Sequence, residues 1–325
     1  MTFRQSLRLK QNALIPLILA GMLLSACAAP NTAQGSAGKL RVVATTTIVG
    51  DVVQNVGGDW ITLDTLIPAG VDEHGYEPAP QDVAKVSRAN LVFINGAGLE
   101  PFIEKLTQNA NGKAQMISVS DGITLLQSVP EDNVSASSGP ASSGPATGAL
   151  QGDPHVWMDP NNVLVWVGNI EKALSAADPA HAADYQKNAA RYRQQLKTLD
   201  AWIRTQVSQV PQNRRELVTD HLVFTYFAKQ YGFGQVGAVV PGYSTTTSPS
   251  AQQLAQLETT IGKLSVPAIF VGNTVNPALS ERVAQDTHTH LVHILTGSLT
   301  TKDGPAPSYL DYIHYNVTAI VTALK

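Results

Sequence analysis

The chain has 325 residues, of which 43% are hydrophobic and 14% are charged, and its formal net charge is −3. This length allows two modest domains with their own cores, and the composition is too apolar for general disorder. Because the charge balance is slightly acidic, we expect no binding to nucleic acid and no electrostatic attachment to a lipid surface.

The N-terminus resembles the signal peptide of a bacterial lipoprotein, which we place at residues 1–26. A basic region precedes an apolar run over 13–24, too short for a membrane-spanning helix of about 20 residues. The run ends at Leu24-Ser25-Ala26-Cys27, which is similar to a lipobox, where the cysteine is acylated; an ordinary secretory signal is the alternative. Cys27 is the only cysteine, which excludes an intrachain disulfide or a thiolate metal cluster. Residues 27–38 predict a flexible tether.

The first part of the mature chain alternates short apolar runs with helical patterns, which predicts βα units on a parallel sheet. A helix is predicted over 81–89. Strands are predicted over 40–45, 61–67, 91–94 and 115–119. Between 131 and 152 the composition changes abruptly, and Ala-Ser-Ser-Gly-Pro occurs twice. A segment of this kind cannot build a core, so we predict a disordered surface loop.

A long helix is predicted over 179–209. Apolar residues recur there at spacings of three and four, and Pro179 suits the first helical position behind Asp178 as N-cap. A continuous helix of about 30 residues would be roughly 45 Å long, enough to span two domains.

The βα alternation resumes after this helix. Helices are predicted to begin near 223, 249, 277 and 308, and strands over 216–219, 235–240, 268–271 and 291–295. The sequence therefore predicts an α/β fold of two lobes with parallel sheets joined by one long rigid helix. We place the N-terminal lobe at 39–178 and the C-terminal lobe at 210–325.

Three of the eight histidines stand where a ligand would bind. His74 and His221 follow predicted strands, and ligands of open α/β folds bind beyond the carboxyl ends of strands. His155 lies in Gly152-Asp-Pro-His-Val-Trp-Met-Asp-Pro160. Three neutral imidazoles suit zinc and leave one position open in a tetrahedral site. The other five histidines need not be ligands; they are His181, His288, His290, His293 and His314. Whether His288, His290 and His293 form a secondary metal site stays open at this point.

Several motifs resemble the zinc/manganese substrate-binding lipoproteins of bacterial ABC transporters, a family that includes adhesins. They are His74-Gly-Tyr-Glu-Pro78, the segment from Asp153 to Pro160, Val218 to Ala228 with Tyr231-Gly232, Thr274-Val-Asn-Pro277 and the closing Tyr309 to Asn316. The resemblance implies a helical-backbone periplasmic-binding-protein fold with the metal between the lobes. It also implies that His74 and His155 from the first lobe and His221 from the second are the metal ligands.

One position departs from the family pattern. The family supplies a fourth ligand from an aspartate in an Asp-Ser-Leu context, where this chain has Gly297 before Ser298-Leu299. Glycine has no side chain to coordinate a metal. A water molecule is our first candidate for the fourth ligand, Glu73 the second and Asp303 the third.

Histidine at the third ligand position goes with zinc in this family, whereas glutamate goes with manganese, which favours oxygen-rich shells. We therefore expect Zn²⁺ as the transported ligand, with Mn²⁺ as the alternative. The function implied is an extracytoplasmic, lipid-anchored, monomeric subunit that delivers metal to a permease and its ATPase.

Two other functions remain open at this point. One is an adhesion or structural lipoprotein whose metal stabilises the fold. The other is a zinc hydrolase with Glu73 or Glu77 as its base, although the chain has no His-Glu-x-x-His motif and we expect no enzymatic activity.

Overall fold

The computed structural model describes residues 38–111, 113–127 and 152–325. The described residues from Lys39 to Lys325 form one compact unit. Within the described ranges, no helix combines the length and the apolar character needed to cross a membrane.

Several predicted features lie outside the described residues. They are the signal peptide over 1–26, the lipidation site Cys27, the tether over 27–38 apart from Gly38, and the loop over 131–152 apart from Gly152. Gly152 forms an isolated antiparallel bridge with Gln127.

The first lobe is built on a four-stranded parallel sheet with the strand order β2-β1-β3-β4. Its strands are β1 (Leu40–Ala44), β2 (Ile61–Thr65), β3 (Leu91–Ile94) and β4 (Gln115–Ser118). The helices of this part are α1 (Thr47–Gly57), α2 (Pro80–Arg88), α3 (Ile103–Asn109) and α4 (Pro160–Ala177).

The long helix α5 (Ala182–Val207) follows and leads into the second lobe. That lobe is built on a second parallel sheet with the equivalent order β6-β5-β7-β8. Its strands are β5 (Glu216–Thr219), β6 (Gly234–Ala238), β7 (Ala268–Val271) and β8 (His290–His293). Its helices are α6 (Thr225–Tyr231), α7 (Ala251–Leu264), α8 (Ala278–Thr287) and α9 (Tyr309–Leu324).

Both faces of each sheet are covered, as is usual for parallel sheets. Because successive side chains of a strand point to opposite faces, each strand contributes to two apolar clusters. Val42 and Ala44 of β1 face a large core shared by both lobes, whereas Val43 packs in a smaller outer cluster. In the second sheet, Leu217 faces the shared core and Val218 the outer cluster. The shared core therefore joins the two sheets into one unit.

Helix α5 is part of that shared core. It packs against α1 and α4 of the first lobe and against α9 of the second. Its buried stripe follows the predicted spacing of three and four: Tyr185, Ala189, Tyr192, Leu196, Leu199, Ile203 and Val207. The fold class, two parallel-sheet α/β lobes with a long connecting helix, is thus confirmed, while the domain boundaries at 178 and 210 stay a prediction.

The start of this helix differs from the prediction. Pro179–His181 form a 3₁₀ turn, and the α-helix begins only at Ala182. Asp178 therefore does not cap the α-helix. Its Oδ2 instead accepts hydrogen bonds from His181 Nδ1 at 2.7 Å and from the Tyr185 hydroxyl at 2.8 Å.

The stripe on α5 provides a test of this packing. Leu196 is fully buried, so Leu196→Ala should lower the free energy of unfolding by about 2–5 kcal/mol through lost transfer energy and the cavity left behind. Chemical denaturation of the metal-free protein measures this. Gln195→Ala, at the neighbouring exposed position, should stay within about 0.5 kcal/mol. Equal effects of the two substitutions would contradict the buried stripe.

Candidate metal centre

His74 lies in the loop between β2 and α2, beyond the carboxyl end of β2. Its backbone N–H donates to Asp72 Oδ1 at 3.0 Å, which fixes the turn that carries the imidazole. Tyr76 anchors the same loop, because its hydroxyl donates to Leu66 O at 3.1 Å and to Asp82 Oδ2 at 2.7 Å. The His-x-Tyr motif thus contains both a candidate ligand and the residue that holds its loop.

His155 is fully buried immediately before the 3₁₀ turn Val156–Met158, which leads into α4. Asp153 Oδ1 lies 2.9 Å from the His155 backbone nitrogen and 2.8 Å from its Nδ1. This oxygen is placed to hold a proton on Nδ1, and in that tautomer Nε2 presents its lone pair. Asp153 also accepts a hydrogen bond from the Thr225 hydroxyl, which links this loop to α6 of the second lobe.

His221 follows β5 of the second lobe and is buried. Asp220 Oδ1 lies 2.5 Å from His221 Nδ1, and Asp220 Oδ2 accepts the backbone N–H of Gly272. Like His155, His221 therefore presents Nε2 with its Nδ1 held by a carboxylate. This carboxylate–histidine arrangement is the one that orients metal-ligating imidazoles in proteins.

The three predicted histidines come together between the carboxyl ends of the two sheets. His155 Nε2 lies 3.1 Å from His74 Nε2 and 3.3 Å from His221 Nε2. All three residues offer a ligand atom within 4.8 Å of the others, and among the described residues they are the only such group of histidine, cysteine or acidic side chains. Nitrogens bound to one tetrahedral zinc at about 2.0–2.1 Å would have a similar spacing, about 3.3 Å.

Burial shapes the charge of this cluster. It lowers the pKa of His155 well below its usual value, and together with the neighbouring His155 and His221 it lowers the pKa of His74 to about 3. For His221, burial also acts to lower the pKa, but Asp220 together with Glu73 and Asp72 outweighs it and the pKa is raised. At neutral pH, His74 and His155 are thus neutral and able to coordinate a cation.

The carboxyl groups buried beside these imidazoles form no ion pair with a lysine or an arginine among the described residues. Burial raises the pKa of Asp153 to about 8 and that of Glu73 to about 7. Within the described chain, the ion pairs of Asp153, Glu73 and Asp220 are all with histidines. A buried carboxylate without a partner cation is costly, so the charge of this site is balanced best when a cation is bound.

The remaining sequence candidates lie elsewhere. Asp303 and Glu77 are exposed, and neither belongs to the group of side chains whose ligand atoms lie within 4.8 Å of one another. His288, His290 and His293 are exposed around β8. His181 stacks on Trp60 at 3.8 Å between ring centroids, and His314 packs against Trp202 at 4.1 Å.

Asp153 and Asp220 lie within the sequence motifs, which by themselves indicate no role for either. The structure assigns both to the orientation of a histidine. The signal was present in the sequence, because each aspartate stands one or two residues before its histidine.

The chain is similar to known proteins over most of its length. Residues 42–323 match the family model described as zinc-uptake complex component A, periplasmic. The chain is 33% identical over 314 residues to the iron-binding protein YfeA of Yersinia pestis, covering 96% of this chain and 95% of the relative. It is 32% identical over 322 residues to the manganese ABC transporter substrate-binding lipoprotein PsaA of Streptococcus pneumoniae, covering 97% and 99% of the two chains.

Solved structures agree with this match. The periplasmic zinc-binding protein TroA of Treponema pallidum aligns with a TM-score of 0.76 at 26% identity, covering 88% of this chain and 99% of TroA. The sequence motifs, the fold and the family model all lead to the same assignment, so the resemblance is confirmed: the chain belongs to the zinc-uptake complex component A family of periplasmic metal-binding proteins.

Proposed function

We propose that this protein is the extracytoplasmic metal-binding subunit of an ABC-type metal importer and that its cargo is Zn²⁺, bound by His74, His155 and His221. The observation that carries the proposal is the convergence of three imidazole nitrogens within 4.8 Å. Family membership supports the transport role, because relatives are named as substrate-binding components of metal ABC transporters.

The choice of zinc rests on the donor atoms. The relatives are named for iron, manganese and zinc, so likeness alone does not select the ion. Three neutral nitrogen donors favour tetrahedral Zn²⁺, whereas Mn²⁺ prefers a larger shell of oxygens. The third donor here is His221, where a carboxylate would favour manganese.

Capture of the ion would join the two lobes. His74 and His155 belong to the first lobe and His221 to the second, so a bound ion bridges them. Hydrogen bonds already cross the same interface: Gly70 N donates to Ser298 Oγ at 2.9 Å, and the Thr245 hydroxyl donates to Asp72 Oδ2 at 2.5 Å. Because α5 packs on both lobes, we expect release to involve small tilts or loop changes.

Delivery requires a membrane location and partners. We propose that acylated Cys27 anchors the protein outside the cytoplasm, in line with relatives named as lipoproteins. A monomer would then pass the ion to a permease powered by its ATPase. Such a carrier performs no chemical step on its cargo.

The ligand assignment predicts unequal effects among the histidines. His221→Ala should weaken zinc binding by more than about 100-fold, because losing a ligand should cost more than losing an outer partner of one. Competition with a fluorescent zinc chelator measures the affinity, and a parallel titration with Mn²⁺ should show weaker binding. His181→Ala and His314→Ala are the controls and should bind as the unsubstituted protein does. Equal losses in all three variants would remove His221 from the site.

The orienting carboxylates predict a smaller loss. Asp153→Asn should weaken zinc binding by about 10–100-fold, because the partner that holds His155 Nδ1 is altered. Asp178→Asn is a matched control, since Asp178 makes the equivalent bond to His181 at 2.7 Å outside the cluster. Thermal melting of both variants checks the fold. Unchanged affinity in Asp153→Asn would show that this bond does not prepare the site.

A further inference from the structure

The connection between β6 and α7, residues 239–250, starts beside the third histidine of the candidate site. It contains neither helix nor strand. The Val240 N–H donates to Asp220 O at 2.7 Å, and Gly242 O accepts the Leu222 N–H at 2.9 Å. These two bonds lie on either side of His221 in the sequence, so they fix the start of the connection to the turn that carries this imidazole.

The same connection then reaches the first lobe. The Thr245 hydroxyl donates to Asp72 Oδ2 at 2.5 Å, and Asp72 Oδ1 accepts the backbone N–H of His74 at 3.0 Å. One carboxylate therefore binds both the turn of the first histidine and a residue of the second lobe. We call residues 241–246 the strap, because they run from the turn of His221 to the turn of His74.

Tyr243 lies in the middle of the strap, beside the second histidine. Its hydroxyl donates to Gln127 O of the first lobe at 3.3 Å, and its ring centroid is 6.3 Å from that of His155. Burial, together with the nearby carboxylate of Asp153, raises the pKa of Tyr243 to about 12, so its hydroxyl remains a donor at physiological pH. The strap thus borders all three imidazoles.

The histidines are closed off from solvent. The side chains of His155, His221 and His74 are only 0%, 1% and 7% exposed. An ion can therefore reach them or leave them only when some wall of the site moves.

The strap is the wall that is held least firmly. The His155 loop continues into Val156–Met158, which is buried in the shared core. No residue of the strap belongs to an apolar cluster, and Gly242 and Thr246 are exposed. Its contacts with the first lobe described above are two hydrogen bonds. Segments with few buried apolar contacts open at the lowest cost in free energy.

We propose that the strap is the gate for metal exchange, in which the Tyr243 ring covers the site and the bond from Thr245 to Asp72 keeps it closed; the inference rests on the proposed function. The strap contains no histidine, cysteine or carboxylate, so it supplies no ligand of the usual zinc-binding kinds. Its opening would let the ion pass while α5 and the shared core stay in place.

A gate of this kind has a kinetic signature. Loops open and close within nanoseconds to microseconds, much faster than a tightly bound ion leaves. The fraction of time that the gate is open then multiplies the association rate and the dissociation rate by the same factor. A weakened gate should therefore speed up exchange and leave the affinity unchanged.

The two neighbouring threonines of the strap provide a matched test. Thr245→Val removes the hydroxyl that binds Asp72, whereas Thr246→Val removes one that lies 2.9 Å from Ser244 Oγ within the strap. Stopped-flow mixing of the purified chain with zinc, and of the zinc-loaded chain with excess chelator, measures both rates. Both should rise about three- to tenfold in Thr245→Val, the effect of one lost hydrogen bond. Thr246→Val and Thr245→Ser, which keeps the hydroxyl, should match the unsubstituted protein.

Substitutions of Tyr243 test the covering ring. Tyr243→Ala should speed up both rates more than Tyr243→Phe, because phenylalanine keeps the ring and loses only the hydroxyl. Zinc affinity should stay within about twofold of the unsubstituted protein in all these variants, a change well below the tenfold that corresponds to about 1.4 kcal/mol. Thermal melts establish that each variant is folded.

The outcomes separate the gate from the proposed function. Unchanged rates in both Thr245→Val and Tyr243→Ala would overturn the gate, while loss of binding in His221→Ala would leave the metal site standing. Faster dissociation with unchanged association would also overturn it, because the strap would then stabilise the bound ion. Failure of the unsubstituted protein to bind zinc, or indifference of binding to His221→Ala, would overturn the proposed function and the gate with it.

Discussion

The hydrogen bonds between buried carboxylates and imidazoles are the interaction on which the site depends. His155 Nε2 lies 3.1 Å from His74 Nε2 and 3.3 Å from His221 Nε2, a spacing at which the three rings crowd around one point. Asp153 and Asp220 hold two of the rings in this arrangement by binding the nitrogens that face away from the cluster. The rings are thus fixed before a metal arrives, which lowers the entropic cost of binding it.

The fold places these groups by repeating one arrangement twice. Each lobe has four parallel strands in an equivalent order, and the histidine-bearing loops follow β2 in the first sheet and β5 in the second. The carboxyl ends of the two sheets face the interface between the lobes. Ligands of open α/β sheets bind at this end of the strands. Helix α5 and the shared core join both sheets into one unit.

Much of this arrangement is readable from the sequence, because parallel strands are short apolar runs with clear ends. The strands over 91–94, 216–219 and 268–271 agree with the structure to the residue. Helix α1 is different, since Thr47–Gly57 contains four valines and two glycines, which do not favour a helix. The Thr46 side chain caps it by accepting the Val49 N–H at 3.1 Å, and burial against α4 and α5 stabilises it; such tertiary effects leave little trace in local sequence.

The candidate site, like the fold, could be predicted from the sequence only in part. Motifs identify His74, His155 and His221, and the structure brings them together, although their role as ligands stays a proposal. The sequence names Glu73 as one candidate for the role of the aspartate missing at 297, but the packing of its carboxyl group against Gly297 could not be predicted, because the two residues are 224 positions apart. Contacts across the interface between lobes depend on how the lobes pack, which only the folded chain reveals.

The central claim is that a zinc ion binds between the lobes on three imidazoles. Anomalous diffraction at the zinc absorption edge, from crystals of the zinc-loaded protein, tests it directly. We expect one strong peak about 2.0–2.1 Å from Nε2 of His74, His155 and His221. A peak only at the surface near His288 and His290, or none in the interface, would contradict it.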